Sequence, residues 1–328
     1  MTKTAIVTGI AGQDGSYLAE RLIADGVRVL GYTRAGSDGL KNATHLSSHI
    51  DKISFPFDDA FEWDLLLERE QPDYFFHLAG NSFVPESWEK PVASIQSNVV
   101  WITNIFESVR RLSPRTRVVV ASSSEIFGRA SDTAFNESTP IHPGNPYGVT
   151  KAASFLMIEL YRQRYGLFGS NAILFNHESP RRAFHFVTRK VSRAVAGIIL
   201  GTQSELTMGS LDASRDWGHA IEYVDAMYRM ILADQPGDFV IGSGKTVPLH
   251  AVVEHAFGSV GLDFQKYVKT DSAFVRPPEP FCPRADSSKA HQILGWQATR
   301  SIESTIAEMV ASDIRLGDTE LRSLRKVA

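Results

Sequence analysis

The feature that most narrows the choice of fold is a glycine-studded turn at the start of the chain. An apolar run over residues 4–8 passes into Gly9-Ile10-Ala11-Gly12-Gln13-Asp14-Gly15, and a stretch with Tyr17, Leu18, Leu22 and Ile23 at helical spacing follows. Glycines three apart permit a tight turn and close approach of the backbone to a diphosphate, which then rests on the helix N-terminus. Glycine clusters alone are ordinary turns. The strand–turn–helix setting is what makes this one a predicted dinucleotide-binding loop. Its spacing is GxxGxxG rather than GxGxxG.

The rest of the first half repeats that rhythm. Short runs rich in β-branched and aromatic residues at 27–32, 53–57, 74–78 and 117–122 read as strands separated by amphipathic stretches. A long helix around 151–165 leads to a further strand at 172–175. Such alternation predicts an α/β fold, a doubly wound parallel sheet covered on both faces. After about residue 176 prolines punctuate shorter pieces, with helices expected near 188–200 and 302–313. The expected division is a dinucleotide-binding domain over 1–176 and a smaller mixed α/β substrate lobe over 177–328, its chain partly interleaved with the first.

Composition excludes several classes. A formal net charge of -3 over 328 residues argues against broad binding to nucleic acid or an anionic membrane. The single cysteine, Cys282, allows no internal disulfide and no cysteine metal cluster. There is no His-Glu-x-x-His motif and no apolar run long enough to span a bilayer, so no metal and no membrane partner are expected. The chain begins directly on a strand, and a cytoplasmic location is expected.

Two further sets of residues carry chemistry. The second strand ends in Tyr32-Thr33-Arg34, where an acid would select NAD and a base accommodates the 2′-phosphate of NADP. Arg34 without a neighbouring acid favours NADP; a solvated surface arginine is the plain alternative. Tyr147 and Lys151, at i and i+4, share one helix face. A phenol titrates near pH 10 unaided, and a nearby ammonium favours the phenolate, so Tyr147 is a candidate base for a substrate hydroxyl. The fifth strand ends Ser122-Ser123-Ser124-Glu125, placing a hydroxyl and a carboxylate at the sheet's carboxyl edge. A helix cap is the alternative reading of that string.

These residues, with Leu-Phe-Asn-His-Glu-Ser-Pro-Arg-Arg at 174–182, Phe-Val-Thr-Arg-Lys at 186–190 and Arg-Asp-Trp-Gly-His-Ala at 215–220, resemble the GDP-mannose 4,6-dehydratase family of extended short-chain dehydrogenases/reductases with Rossmann folds. The likeness spans nearly the whole chain. It implies catalytic roles for Ser123, Glu125, Tyr147 and Lys151. It implies contacts to NADP from Gly9, Gly12, Gln13, Asp14, Gly15, Arg34, Asp58, Leu78, Ser82, Tyr147, Lys151, His177 and Arg182. A GDP-sugar would be held by Ser82, Glu125, Asn176, Lys190, Arg215, Arg276 and Glu279, where arginine forks suit diphosphate oxygens.

Three positions depart from the family pattern. Ser123 stands where threonine is usual; Thr33-Arg34-Ala35-Gly36-Ser37-Asp38 replaces an Arg-Arg and Ser-rich loop that helps build a tetramer; Ala183-Phe184-His185 replaces Gly-Glu-Thr. A homodimer is therefore expected, with a tetramer as the alternative. The resemblance implies conversion of GDP-D-mannose to GDP-4-keto-6-deoxy-D-mannose and water, without net use of cofactor. A related substrate such as GDP-manno-heptose, or a 4-keto-sugar reductase or epimerase activity, is the neighbouring reading. Glu125 separates the dehydratase from the latter.

Overall fold

The structure is a computed structural model that describes residues 2–34, 39–128, 134–271 and 284–327. Its strands are β1 (Thr4–Thr8), β2 (Arg28–Tyr32), β3 (Ile50–Ile53), β4 (Tyr74–His77), β5 (Arg117–Ser123), β6 (Gly169–Leu174), β7 (Asn176–Glu178), β8 (Leu206–Met208), β9 (Ser214–His219), β10 (Phe239–Ile241), β11 (Thr246–Pro248) and β12 (Val268–Thr270). The helices are α1 (Gln13–Ala24), α2 (Ala60–Glu70), α3 (Val84–Glu89), α4 (Pro91–Ile95), α5 (Trp101–Leu112), α6 (Pro146–Tyr165), α7 (Val187–Ile199), α8 (Ala220–Leu232), α9 (Leu249–Gly258), α10 (Ser288–Leu294) and α11 (Ile302–Val327).

Seven strands form one parallel sheet in the order β3-β2-β1-β4-β5-β6-β10. Alternation of side chains sorts each apolar run onto two faces. Ala5, Val7, Tyr74, Phe76 and Val119 pack with α1 and α8, whereas Ile6, Phe75, Val118 and Val120 pack with α2, α5 and α6. The doubly wound sheet is thus built as the alternation requires. β10 and α8, both from beyond residue 176, join this sheet and its helical cover.

A third core gathers α7, α9, α11, β8 and β9 around Val191, Met208, Trp217, Phe257 and Met309. A buried ion pair, Arg189 Nη2 to Asp313 Oδ1 at 2.7 Å, ties α7 to α11. Among the described residues no helix is long and apolar enough to cross a membrane.

Three local expectations need correction. The strand expected at 53–57 lies at Ile50–Ile53. Pro56 has no N–H for a ladder, and Phe55 and Phe57 instead pack edge-on against Tyr32, with Trp63 beside them. β6 starts at Gly169, three residues before the apolar run. Buried Ser170 and Asn171 are accepted into it because Ser170 Oγ takes the Gly237 N–H and Asn171 Nδ2 donates to Asp238. α11 continues well past residue 313, to Val327.

Candidate active site

At the end of β1 the backbone turns through Gly9 at φ +73°, a conformation that glycine adopts without strain. A Cβ there would stand 2.9 Å from Ala79 N and from Leu78 C, and one on Gly15 would stand 2.2 Å from Gly9 O. The strand end and the helix start can approach this closely only without side chains. Gly12 caps α1 and has no side chain to satisfy the first N–H groups, so the helix presents donors and its positive end at the point where the strand order reverses. This cradle fits a dinucleotide diphosphate.

The second lobe is pinned to the same turn. His177 Nε2 meets Asp14 Oδ2 at 3.0 Å, and its Nδ1 lies 2.8 Å from Phe175 O. Burial works against both charges, but Asp14 carries His177 above the usual histidine value and His177 holds Asp14 below the usual carboxylate value. Gln13 Nε2 donates to His177 O at 3.1 Å, and Gln13 Oε1 accepts from Ser179 Oγ at 2.8 Å. Arg181 reaches Ser16 and Glu20 of α1 and lies 3.9 Å over the Tyr17 ring. Arg182 turns the other way, beside Glu178 at 3.2 Å and over the Phe186 ring at 3.6 Å, and its charge reaches Asp14 and Tyr147.

Around the cradle, Arg34 is exposed just beyond β2 and Asp58 is exposed on the neighbouring loop. Burial raises the Tyr32 phenol to about 12, with Asp58 adding to the rise and Arg34 opposing it, which places both charges about one ring. Leu78 donates its N–H to Thr8 O at 3.3 Å, and Ser82 is exposed between β4 and α3.

The four catalytic candidates come together at the end of β5 and the start of α6. Tyr147 is buried, with the Ser123 hydroxyl beside its phenol. Burial pushes it up to about 12; Ser123 and Arg182 oppose the rise, while Glu125 and Asp14 add to it. Lys151 Nζ lies 5.8 Å from the Tyr147 ring centre and donates to Ala121 O at 2.8 Å. Burial pushes that lysine down to about 8. Glu125 receives a hydrogen bond at its carboxylate from Asn145 Nδ2, 2.7 Å away, and its own N–H reaches Ser123 Oγ at 3.3 Å. Asn145 is a site residue that the sequence reading passed over, although an asparagine before Pro146 is a recognisable helix-cap signal.

On the second lobe, Asn176 on β7 pairs with Trp217 on β9, two residues from half-buried Arg215. Lys190 on α7 is exposed, and its Nζ donates to Thr207 O at 2.7 Å. Arg276 and Glu279 lie outside the described residues. Much of the Arg-Asp-Trp-Gly-His string is architectural. Asp216 accepts from Ser243 N, Gly244 N and Ala285 N at 2.8–3.0 Å; Trp217 Nε1 donates to Val247 O; and His219 Nδ1 accepts from Ile221 N, capping α8.

The cradle and the Ser–Tyr–Lys cluster at the carboxyl edge of a doubly wound sheet define an extended short-chain dehydrogenase-type protein. Two solved structures share that fold: a dTDP-glucose 4,6-dehydratase from Bacillus anthracis in complex with NAD, at TM-score 0.83, 18% identity and coverage of 95% of this chain and 96% of that one, and RMD from Pseudomonas aeruginosa complexed with NADPH, at TM-score 0.80, 21% identity and coverage of 96% and 99%. The family described as GDP-mannose 4,6 dehydratase matches residues 6–309. A GDP-mannose 4,6-dehydratase of Sinorhizobium fredii is 36% identical over 339 aligned residues, covering 95% of this chain and 97% of that protein. The chain belongs to the GDP-mannose 4,6-dehydratase family.

Proposed function

We propose that the protein converts GDP-D-mannose to GDP-4-keto-6-deoxy-D-mannose and water. The observation that carries this reading is a carboxylate, Glu125, held by Asn145 beside Ser123, Tyr147 and Lys151, its main-chain N–H bonded to Ser123 Oγ. Ser123 orients the C4 hydroxyl and Tyr147 Oη takes its proton as the C4–H bond breaks. The resulting ketone acidifies the C5–H, which Glu125 removes. The same carboxyl then protonates the departing C6 hydroxyl, so that the C6–O bond breaks and water leaves; C5 finally takes the proton that Tyr147 Oη removed from the C4 hydroxyl, which completes the 4-keto-6-deoxy sugar. A bound nicotinamide dinucleotide, held by Gly9, Gly12, Gly15 and the first turn of α1, supplies the hydride acceptor at C4 and donor at C6. The cradle and the uncapped helix support such a ligand, and Arg34 supports NADP over NAD through its fixed positive charge at the end of β2.

A homodimer is part of this reading. Val149, Ala153, Leu156 and Leu160 follow a 4-3-4 spacing down the outer side of α6, and Val149, Leu156 and Leu160 are 53%, 46% and 56% exposed. On α4, Val92 and Ile95 are exposed as well. Apolar stripes of this period suit helix-on-helix packing against a second copy.

The deciding experiment uses GDP-mannose deuterated at C4, without added reductant. The expected outcome is a product lighter by one water, with the label at C6 and no net change in nicotinamide absorbance. Stoichiometric consumption of NADPH, or a product that keeps its C6 oxygen, overturns the reading.

A further inference from the structure

Glu125 can act as a base only if its carboxylate is held in reach of the sugar edge that faces Tyr147. The residue is held at two points, one on its main chain and one on its carboxylate. Its main-chain N–H reaches Ser123 Oγ at 3.3 Å, and its Oε2 is 2.7 Å from Asn145 Nδ2. The other amide atom of that asparagine, Oδ1, accepts the N–H of Gly148 at 2.8 Å and so caps α6. Because Gly148 N–H can only donate, Oδ1 must face it and the NH2 must face the carboxylate. The neighbouring backbone is as close: a Cβ on Gly148 would stand 2.5 Å from Glu125 O.

Asn145 therefore joins the carboxylate to the first turn of the helix that carries Tyr147 and Lys151. Capping alone does not require an asparagine. Serine caps a helix equally well, but its single oxygen cannot satisfy Gly148 and reach Glu125 at once.

Resting on the dehydratase reading, we propose that Asn145 is a positioning residue for the elimination step: it orients the Glu125 carboxylate toward the C5 proton, independently of its capping of α6. Hydride removal from C4 depends on Tyr147 and is untouched by this contact. Loss of the contact slows proton removal at C5 and leaves the oxidised sugar waiting.

The test compares wild type, Asn145→Ser, which keeps a cap, and Asn145→Asp, which keeps an acceptor for Gly148 but turns a negative charge toward Glu125. In Asn145→Ser, kcat falls about 10- to 100-fold while KM for GDP-mannose, dinucleotide affinity and melting temperature stay near wild type. Mixing that variant with GDP-mannose gives a rise in reduced-nicotinamide absorbance absent from the wild type, because oxidation at C4 outruns elimination. Asn145→Asp shows the same rise with a larger loss of kcat. Unchanged kcat in Asn145→Ser overturns the proposal. So does a loss of kcat with no absorbance rise, which makes the residue a cap only. A wild-type protein that forms no 4-keto-6-deoxy sugar brings down the functional reading itself, a result distinct from either.

Discussion

Tyr147 must give up its proton to serve as a base, and burial in the free chain keeps that proton in place, near 12. Lys151 Nζ lies 5.8 Å from the ring centre, and burial lowers it to about 8. A positive charge arriving beside the phenol lowers it, so this pair is set to respond to an oxidised dinucleotide. Arg34 lies exposed just beyond β2, and the proposed preference for NADP rests on it. A charge-assisted contact there contributes about 1.5–3 kcal/mol. Replacing Arg34 with Ala should weaken NADP binding by that amount and leave NAD binding nearly unchanged in isothermal titration. Equal loss for both cofactors would remove the arginine from the site.

The segment from β7 into α7 works as a strap along α1. His177 binds Asp14, Ser179 binds Gln13, and Arg181 binds Ser16 and Glu20 in turn. The His177–Asp14 pair makes this strap sensitive to pH. His177 is raised above 6.5 and Asp14 lowered below 3.8, with Arg182 acting on both and the Tyr223 ring stacked on His177 at 4.6 Å. The pair's contribution is full between 3.8 and 6.5, falls as Asp14 is protonated below that window, and falls as His177 loses its proton above it. The unfolding free energy of His177→Gln should lie roughly 3–5 kcal/mol below wild type at mildly acidic pH. The gap should narrow as the solution is made alkaline, and a gap that widens would contradict the assignment.

Across the whole molecule, the two lobes share chain rather than meeting at a simple border. β10 completes the sheet beside β6, and Asp216 on β9 takes the N–H groups of Ser243, Gly244 and Ala285 that follow β10 or return toward α10. Among the described residues, the outer stripe of α6 is an exposed apolar surface, with Val92 and Ile95 of α4 also exposed. Because Leu160 is 56% exposed in one chain, Leu160→Asp should leave the circular dichroism and melting behaviour of the subunit almost intact while turning a dimer into monomers in sedimentation. A wild-type protein that sediments as a monomer would refute the dimer.

The local parts of this protein could be read from its residues alone. The strand–glycine–helix turn at 4–15, the period-2 sorting of β1, β4 and β5, and the i, i+4 placement of Tyr147 and Lys151 all depend on near neighbours, and short-range sterics decide them. Strings such as Asn-His-Glu-Ser-Pro-Arg-Arg could be recognised as wholes, yet not parsed. That His177 serves Asp14 163 residues away, while Arg182 turns inward, follows only from how α1 and the second lobe come together. The same holds for Ser170 and Asn171, polar residues hidden in a strand because Gly237 and Asp238 arrive to satisfy them. Asn145 is the sharpest case. Its cap on α6 was within reach of the sequence, because Gly148 is three residues on. Its grip on Glu125 was not, because that contact exists only once β5 and α6 are packed against each other and a single amide is left with one face toward each.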